Sequence, residues 1–259
     1  MSELLCQTEA GVATLTFNRP KVKNAFSDTM RVSLVGHLET LAIDPHVRCV
    51  VITGAGDAFC AGGDIASMVK LQDDDDHSIV AERIQVAAQA VQLIRRMPKP
   101  VIAAVNGAAA GGGMNLALAC DMRLGCESAF FAESFVKIGL VPDWGGFSFL
   151  PQLVGTAKAM ELMMSGERID AQHALSLGLF NQVYPDGAFL AEVDAFAKRL
   201  ASGPANTLAC IKEGVYLGAS GSLEQSLSYE LRTQKSVFLH EDAREGMRAF
   251  MEKRPPTFA

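Results

Sequence analysis

Val105-Asn106-Gly107-Ala108-Ala109-Ala110-Gly111-Gly112-Gly113 opens directly into Met114-Asn115-Leu116-Ala117-Leu118-Ala119, and this junction sets the architecture of the chain. Upstream, Val101–Val105 is an uninterrupted apolar run, as in a strand buried on both faces. Downstream, the residues from Gly111 to Ala119 read as a helix. Glycines at such a junction leave main-chain N–H groups bare, and the first helical turn adds unpaired amides and the positive end of the dipole. That combination suits a developing anion.

The same alternation extends on both sides. Gly11 to Asn18 reads as a strand broken by Arg19-Pro20, and Ser27 is placed to cap a helix reaching Ile43 with Met30, Leu34, Leu38 and Leu41 on one face. Cys49 to Thr53 is a buried strand ending in the turn Gly54-Ala55-Gly56, followed by a long helix over Ile79–Met97 and, after the central junction, a strand at Met122–Cys126. Strands alternating with crossover helices predict an α/β protein with a mostly parallel sheet. Past residue 185 the segments Asp186–Leu200, Pro204–Leu217, Ser222–Leu239 and Glu241–Lys253 all read as helices. The expected division is an α/β core over 1–185 and a helical region over 186–259.

A chain of 259 residues, 49% hydrophobic and 20% charged, is long enough to bury a large core. Its net charge of -6 argues against nucleic acid as a partner and leaves a small molecule as the expected one. The start lacks a basic, then apolar, leader, and no run of eighteen uncharged apolar residues occurs, so a cytoplasmic protein without membrane contact is expected. Cys6, Cys49, Cys60, Cys120, Cys126 and Cys210 form no Cys-x-x-Cys pair and read as free thiols. The acidic run Asp73–Asp76 reads as a solvated loop. Phe59 stands where a dinucleotide fingerprint needs its third glycine, and the sequence has no P-loop, His-x-x-x-His or Gly-x-Ser-x-Gly. No metal or nicotinamide is therefore expected.

A second glycine-rich strand end, Thr53-Gly54-Ala55-Gly56-Asp57-Ala58-Phe59-Cys60-Ala61-Gly62-Gly63-Asp64-Ile65, accompanies the first. Together they suggest an oxyanion hole built from main-chain donors. These runs, with Asn18-Arg19-Pro20-Lys21-Val22-Lys23-Asn24-Ala25, Leu140-Val141-Pro142-Asp143-Trp144-Gly145-Gly146 and Glu245-Gly246-Met247-Arg248-Ala249-Phe250, resemble the enoyl-CoA hydratase/isomerase (crotonase) superfamily across nearly the whole chain. The resemblance implies a ClpP-like spiral of ββα units, C-terminal helices that form a homotrimer or dimer of trimers, and an acyl-CoA thioester whose coenzyme A is part of the substrate. It makes the amides of Ala61 and Gly112 the oxyanion hole and puts Lys21, Ala25, Asp64 and Ile65 at the CoA arm. Phe250 and Lys253 match positions that reach CoA from a neighbouring subunit.

The superfamily's hydratases use two glutamates, and at those positions this chain has Asn115 and Phe135, neither able to exchange a proton near neutral pH. Asn115 is left to orient substrate. Asp143 reads either as a cap on the following Gly145–Leu153 segment or, by resemblance to ring-opening and enoyl isomerases of aromatic degradation, as the acid/base. Moving a double bond from β,γ to α,β needs one base, and Phe131, Phe135, Trp144 and Phe147 are expected to raise its pKa by desolvation. Glu133 is the reserve base, expected at the surface. The alternatives are a hydratase, a dehalogenase-like enzyme with Asp143 as nucleophile on an aryl-CoA, and a catalytically silent CoA-binding scaffold. The loop near Met68–His77 is expected to shape the acyl pocket.

Overall fold

The computed structural model describes residues 2–75 and 78–258, so Asp76 and His77 lie outside the described residues. Ten strands form two sheets: β1 (Leu4–Glu9), β2 (Val12–Phe17), β3 (Cys49–Gly54), β4 (Ala58–Cys60), β5 (Val101–Val105), β6 (Ala108–Ala110), β7 (Met122–Cys126), β8 (Phe130–Ala132), β9 (Arg168–Asp170) and β10 (Gln182–Tyr184). The larger sheet has the order β1-β2-β3-β5-β7-β10 and the smaller β4-β6-β8-β9. The helices are α1 (Asp28–Ile43), α2 (Ile65–Asp73), α3 (Ser78–Arg96), α4 (Gly112–Ala119), α5 (Gly146–Val154), α6 (Thr156–Ser165), α7 (Ala171–Ser176), α8 (Phe189–Ala201), α9 (Ala205–Ser220), α10 (Leu223–Phe238) and α11 (Glu241–Glu252).

The repeating unit is a long strand, a short strand and a helix. β3, β5 and β7 lie side by side and parallel in the large sheet, and each hands the chain to a short strand, β4, β6 or β8, in the small one. The glycine corner at Gly107 is crossed closely by the preceding unit. A β-carbon on Gly107 would lie 2.1 Å from Asp57 O, and the Asn106 amide closes the stack by bonding Gly54 O at 2.7 Å and Gly56 O at 2.9 Å. Any side chain at Gly107 would push the two turns apart.

The long apolar runs behave as their composition requires. β5 is buried at every position, and α1 begins where the Ser27 hydroxyl accepts from Met30 N at 3.0 Å, then buries Met30, Leu34, Leu38 and Leu41 against the sheet. Several features go beyond the sequence reading: the antiparallel strand β1 at the sheet edge, the short helix α2, helices α6 and α7, strand β10 and the whole small sheet. After β10 the described residues hold helices and no strand. α9 is pinned to the core by Lys212, whose ammonium lies 2.8 Å from the Asp121 carboxylate, and by Tyr216, whose hydroxyl donates to Asp121. α10 buries nothing, leaving Leu223, Leu227, Leu231 and Phe238 exposed and Val237 half-buried. Among the described residues no helix is long and apolar enough to cross a membrane.

Candidate active site

A cavity of about 620 Å³ lies between α1, α2 and α3 on one side and the Ser134–Gly145 segment on the other, with the starts of α2 and α4 at its reacting end. Most of its wall is apolar, with Ile65, Met68 and Leu71 from α2, Ile84 and Val91 from α3, and Phe135 and Trp144 opposite. Gly62, Gly63 and Gly112 line it too. A β-carbon on Gly62 would sit 3.4 Å from Gly112 N, so the turn before α2 approaches the first amide of α4 closely.

The expected pair of amides needs one correction. Ala61 lines the cavity, but its N–H already donates to Lys23 O at 2.9 Å. Among the described residues the free amides at this end are those of Gly63 and Gly112, which have no hydrogen-bond partner. Gly112 is the first residue of α4, where no intrahelical acceptor is available.

Asp143 enters from the opposite side. It does not cap α5, whose capping position is Gly145 with no side-chain bond. The Asn115 amide instead donates to Asp143 O at 2.9 Å, while Trp144 takes a left-handed φ of 51° and stacks on Phe26 at 4.5 Å, so the loop is held from both sides. Asp143 Oδ1 is buried without a partner and lies 3.5 Å from the place a β-carbon on Gly112 would occupy. Burial raises its pKa to about 6, against the attraction of the Arg31 guanidinium, which lowers it. Among the described residues lining the cavity, Asp143 is the only carboxylate.

Two bare amides and a buried carboxylate gathered at one end of a mostly apolar cavity suit stabilisation of an enolate. The enoyl-CoA hydratase/isomerase family model matches residues 7–259. The chain is 40% identical over 252 residues to a probable enoyl-CoA hydratase of Rhodobacter capsulatus, covering 96% of this chain and 94% of that one. The chain belongs to the enoyl-CoA hydratase/isomerase family. It is also 37% identical over 260 residues to the 1,2-epoxyphenylacetyl-CoA isomerase of Escherichia coli K12, covering 100% of this chain and 98% of that one. The crystal structure of an enoyl-CoA hydratase from Polaromonas sp. JS666 matches with a TM-score of 0.95 at 37% identity, covering 99% of each chain. The alternation of long strand, short strand and helix is the crotonase fold.

Within this enoyl-CoA hydratase/isomerase family member several expected residues sit differently. Glu133, expected at the surface, is 1% exposed, and neither of its carboxylate oxygens has a partner among the described residues. Burial drives its pKa up to about 8; the neighbouring Asn115 works the other way without reaching hydrogen-bond geometry, and the charge of Asp143 adds to the rise. It lies behind the cavity wall rather than on it. Asn115 is fully buried and off the cavity as well, and its side chain holds the Asp143 loop rather than facing the cavity. Of the four aromatic residues expected around Asp143, Phe135 and Trp144 line the cavity, whereas Phe131 packs on Phe180 in the core and Phe147 is exposed.

Of the residues expected at the CoA arm, Ile65 lines the cavity and Lys21, Ala25 and Asp64 do not. The Asp64 carboxylate is committed elsewhere: it pairs with Arg19 at 2.9 Å and accepts from Ser67 N at 3.3 Å as the cap of α2. Lys21 is exposed and Ala25 buried. Phe250 and Lys253 lie at the exposed end of α11, outside this chain's cavity. In the expected acyl loop Met68, Leu71 and Gln72 line the cavity, and His77 is outside the described residues. Arg31 and Arg83 also line it and were missed, although Arg31 shares the i, i+3, i+7 register of the buried Leu34 and Leu38.

Proposed function

We propose that this protein is an enoyl-CoA isomerase with Asp143 as its single acid/base. The observation that carries the reading is the position of Asp143, the one carboxylate on the cavity wall among the described residues, beside the unpaired Gly112 amide. The Asp143 carboxylate takes the C2 proton of a 3-enoyl thioester, and the electron pair of that C–H bond moves into the thioester. The resulting enolate oxygen accepts hydrogen bonds from the N–H groups of Gly63 and Gly112. Protonated Asp143 then returns the proton to C4, leaving the double bond conjugated at C2–C3. No water is consumed, and one carboxylate serves both transfers.

The name of the Escherichia coli relative supports a ring-epoxide acyl group as a variant of the same chemistry. Hydration is the second reading, supported by the name of the Rhodobacter capsulatus relative and by the second buried carboxyl, Glu133. It is the weaker one, because Glu133 is off the cavity and neither Asn115 nor Phe135 can act as a general acid or base near neutral pH. Coenzyme A is the handle, reached by Phe250 and Lys253 of a neighbouring subunit in a homotrimer or dimer of trimers. No metal or nicotinamide takes part, so activity should persist after exhaustive chelation.

The deciding experiment incubates the purified protein with 3-enoyl-CoA, 2-enoyl-CoA and ring-epoxide phenylacetyl-CoA and identifies the products. Isomerised product from the first or third, lost by a hundred- to ten-thousand-fold in Asp143→Asn, is expected. A 3-hydroxyacyl product from 2-enoyl-CoA that needs Glu133 would establish the hydratase instead.

A further inference from the structure

Arg31 is out of place in a cavity for a hydrocarbon chain. It projects from the buried face of α1, is 6% exposed, and lines the cavity with Nη2 3.8 Å from where a β-carbon on Gly63 would lie. Among the described residues its guanidinium makes one hydrogen bond, Nη1 to Asp28 Oδ1 at 3.0 Å, and lies 5.8 Å from the centre of the Phe26 ring. A guanidinium carries five N–H donors, so most of them are unspent at the end of the cavity where the chemistry is placed. Arg83, the other cation on the wall among the described residues, is more heavily engaged: three of its five N–H donors are used, on both Asp28 oxygens at 2.7 Å and on the Ser67 hydroxyl at 2.6 Å. Asp28 is thus shared between two guanidinium groups, and Arg31 has the smaller share.

A purely hydrocarbon acyl group would seal those donors away from water without giving them an acceptor, which is unfavourable for every donor left unpaired. An oxygen on the acyl group would satisfy them. The charges indicate what kind of oxygen. Arg31 and Arg83 are balanced by Asp28 and by Asp143, whose charge acts directly on Arg31. A carboxylate in the same space would leave an excess negative charge beside the proposed base. A ketone, hydroxyl or epoxide oxygen accepts from Arg31 and leaves that balance intact.

We propose that Arg31 is a specificity-determining residue whose guanidinium holds a neutral oxygen of the acyl group, so that oxygen-bearing acyl thioesters are preferred to hydrocarbon ones. This rests on the cavity being the acyl-CoA site. It does not require that Asp143 be the base.

The test is a binding measurement with thioesters that cannot be isomerised. Two near-isosteric pairs serve, 4-oxopentanoyl-CoA with 4-methylpentanoyl-CoA and 5-oxohexanoyl-CoA with 5-methylhexanoyl-CoA, titrated calorimetrically. In at least one pair the oxo compound should bind the wild type tighter by roughly ten- to a hundredfold, the range of a hydrogen bond to a charged donor. Arg31→Met should abolish that preference, and Arg31→Lys should keep part of it. Equal or tighter binding of both hydrocarbons to the wild type overturns the proposal even if Arg31→Met does not fold, and so does a preference that survives in a folded Arg31→Met. If none of the four thioesters binds, the acyl-CoA reading itself has failed. Binding without preference defeats the role of Arg31 alone.

Discussion

Glu133→Gln is expected to stabilise the folded protein by an amount that grows with pH. Glu133 is 1% exposed with both oxygens unpartnered, and burial moves its pKa from 4.5 to about 8. Unfolding returns the carboxyl to water, where it ionises near its ordinary value. Between those two values the unfolded chain has released a proton that the folded chain still holds, so folding stability falls as pH rises through this window. Each tenfold change in proton affinity is worth about 1.36 kcal/mol, giving a penalty of roughly 3 kcal/mol at pH 7 that levels off near roughly 5 kcal/mol above pH 8. Glutamine has nearly the same shape and no proton to lose, and Asn115 Oδ1 nearby is itself an acceptor without a partner. Urea unfolding of both proteins at pH 5, 7 and 8.5 measures the effect. The two should differ by roughly 1 kcal/mol or less at pH 5 and separate progressively above it. A difference that stays flat with pH, or a variant less stable at pH 8.5, would mean that Glu133 is ionised and paired in the folded protein, and the reasoning from its burial would fall. If the proposed isomerase reaction is the right one, the variant should also keep most of that rate.

Because Asp143 must be ionised to act as base, kcat/KM for isomerisation should rise about tenfold per pH unit up to about 6 and then flatten; a level profile from pH 4.5 to 8 would count against it. In Arg31→Met the same limb should move to higher pH, since the guanidinium is what holds the Asp143 carboxyl down. Gly112→Ala should lower kcat/KM far more than Gly63→Ala: its new methyl would lie 2.8 Å from two ring atoms of Trp144, whereas that of Gly63 meets the flexible tip of Met68. Equal losses in steady-state assays would refute that ranking. Sedimentation at micromolar concentration should show a trimer or a dimer of trimers, given the bare apolar face of α10; a fully active monomer would refute it.

The long strands and α1 could be read from sequence because their signals are local: continuous apolar runs, and a serine before an apolar stripe. β4, β6 and β8 could not, since three residues are too few to show a period. The glycine junction before α4 and the aspartate after Pro142 were legible, and the structure brings Gly112 and Asp143 together. The other amide was misplaced by two positions for a physical reason. Ala61, Gly62 and Gly63 are equally small, and which N–H is free depends on the Lys23 carbonyl arriving opposite Ala61. Glu133 failed similarly: flanked by a serine it looks solvated, yet it is 1% exposed, because its burial comes from tertiary packing that no local pattern shows.

The two buried carboxyls explain each other. Both are raised chiefly by burial, and the largest opposing influence on Asp143 is a cation, Arg31, whereas on Glu133 it is only the neutral Asn115. At neutral pH a carboxyl with a pKa of about 6 is mostly ionised and one with a pKa of about 8 mostly protonated, so only Asp143 is ready to accept a proton from carbon. Without Arg31, Asp143 would approach the protonated condition of Glu133. With a closer ion pair it would fall back toward 3.8 and become too weak a base for a carbon acid. Arg31 can hold this middle course because part of its charge is already matched by Asp28, 3.0 Å away, and because Arg83 draws on the same carboxylate. Asp28 is divided between the two guanidinium groups, at 3.0 Å from Arg31 and 2.7 Å from Arg83, so the cation that lowers the Asp143 pKa is itself part of a larger charge network.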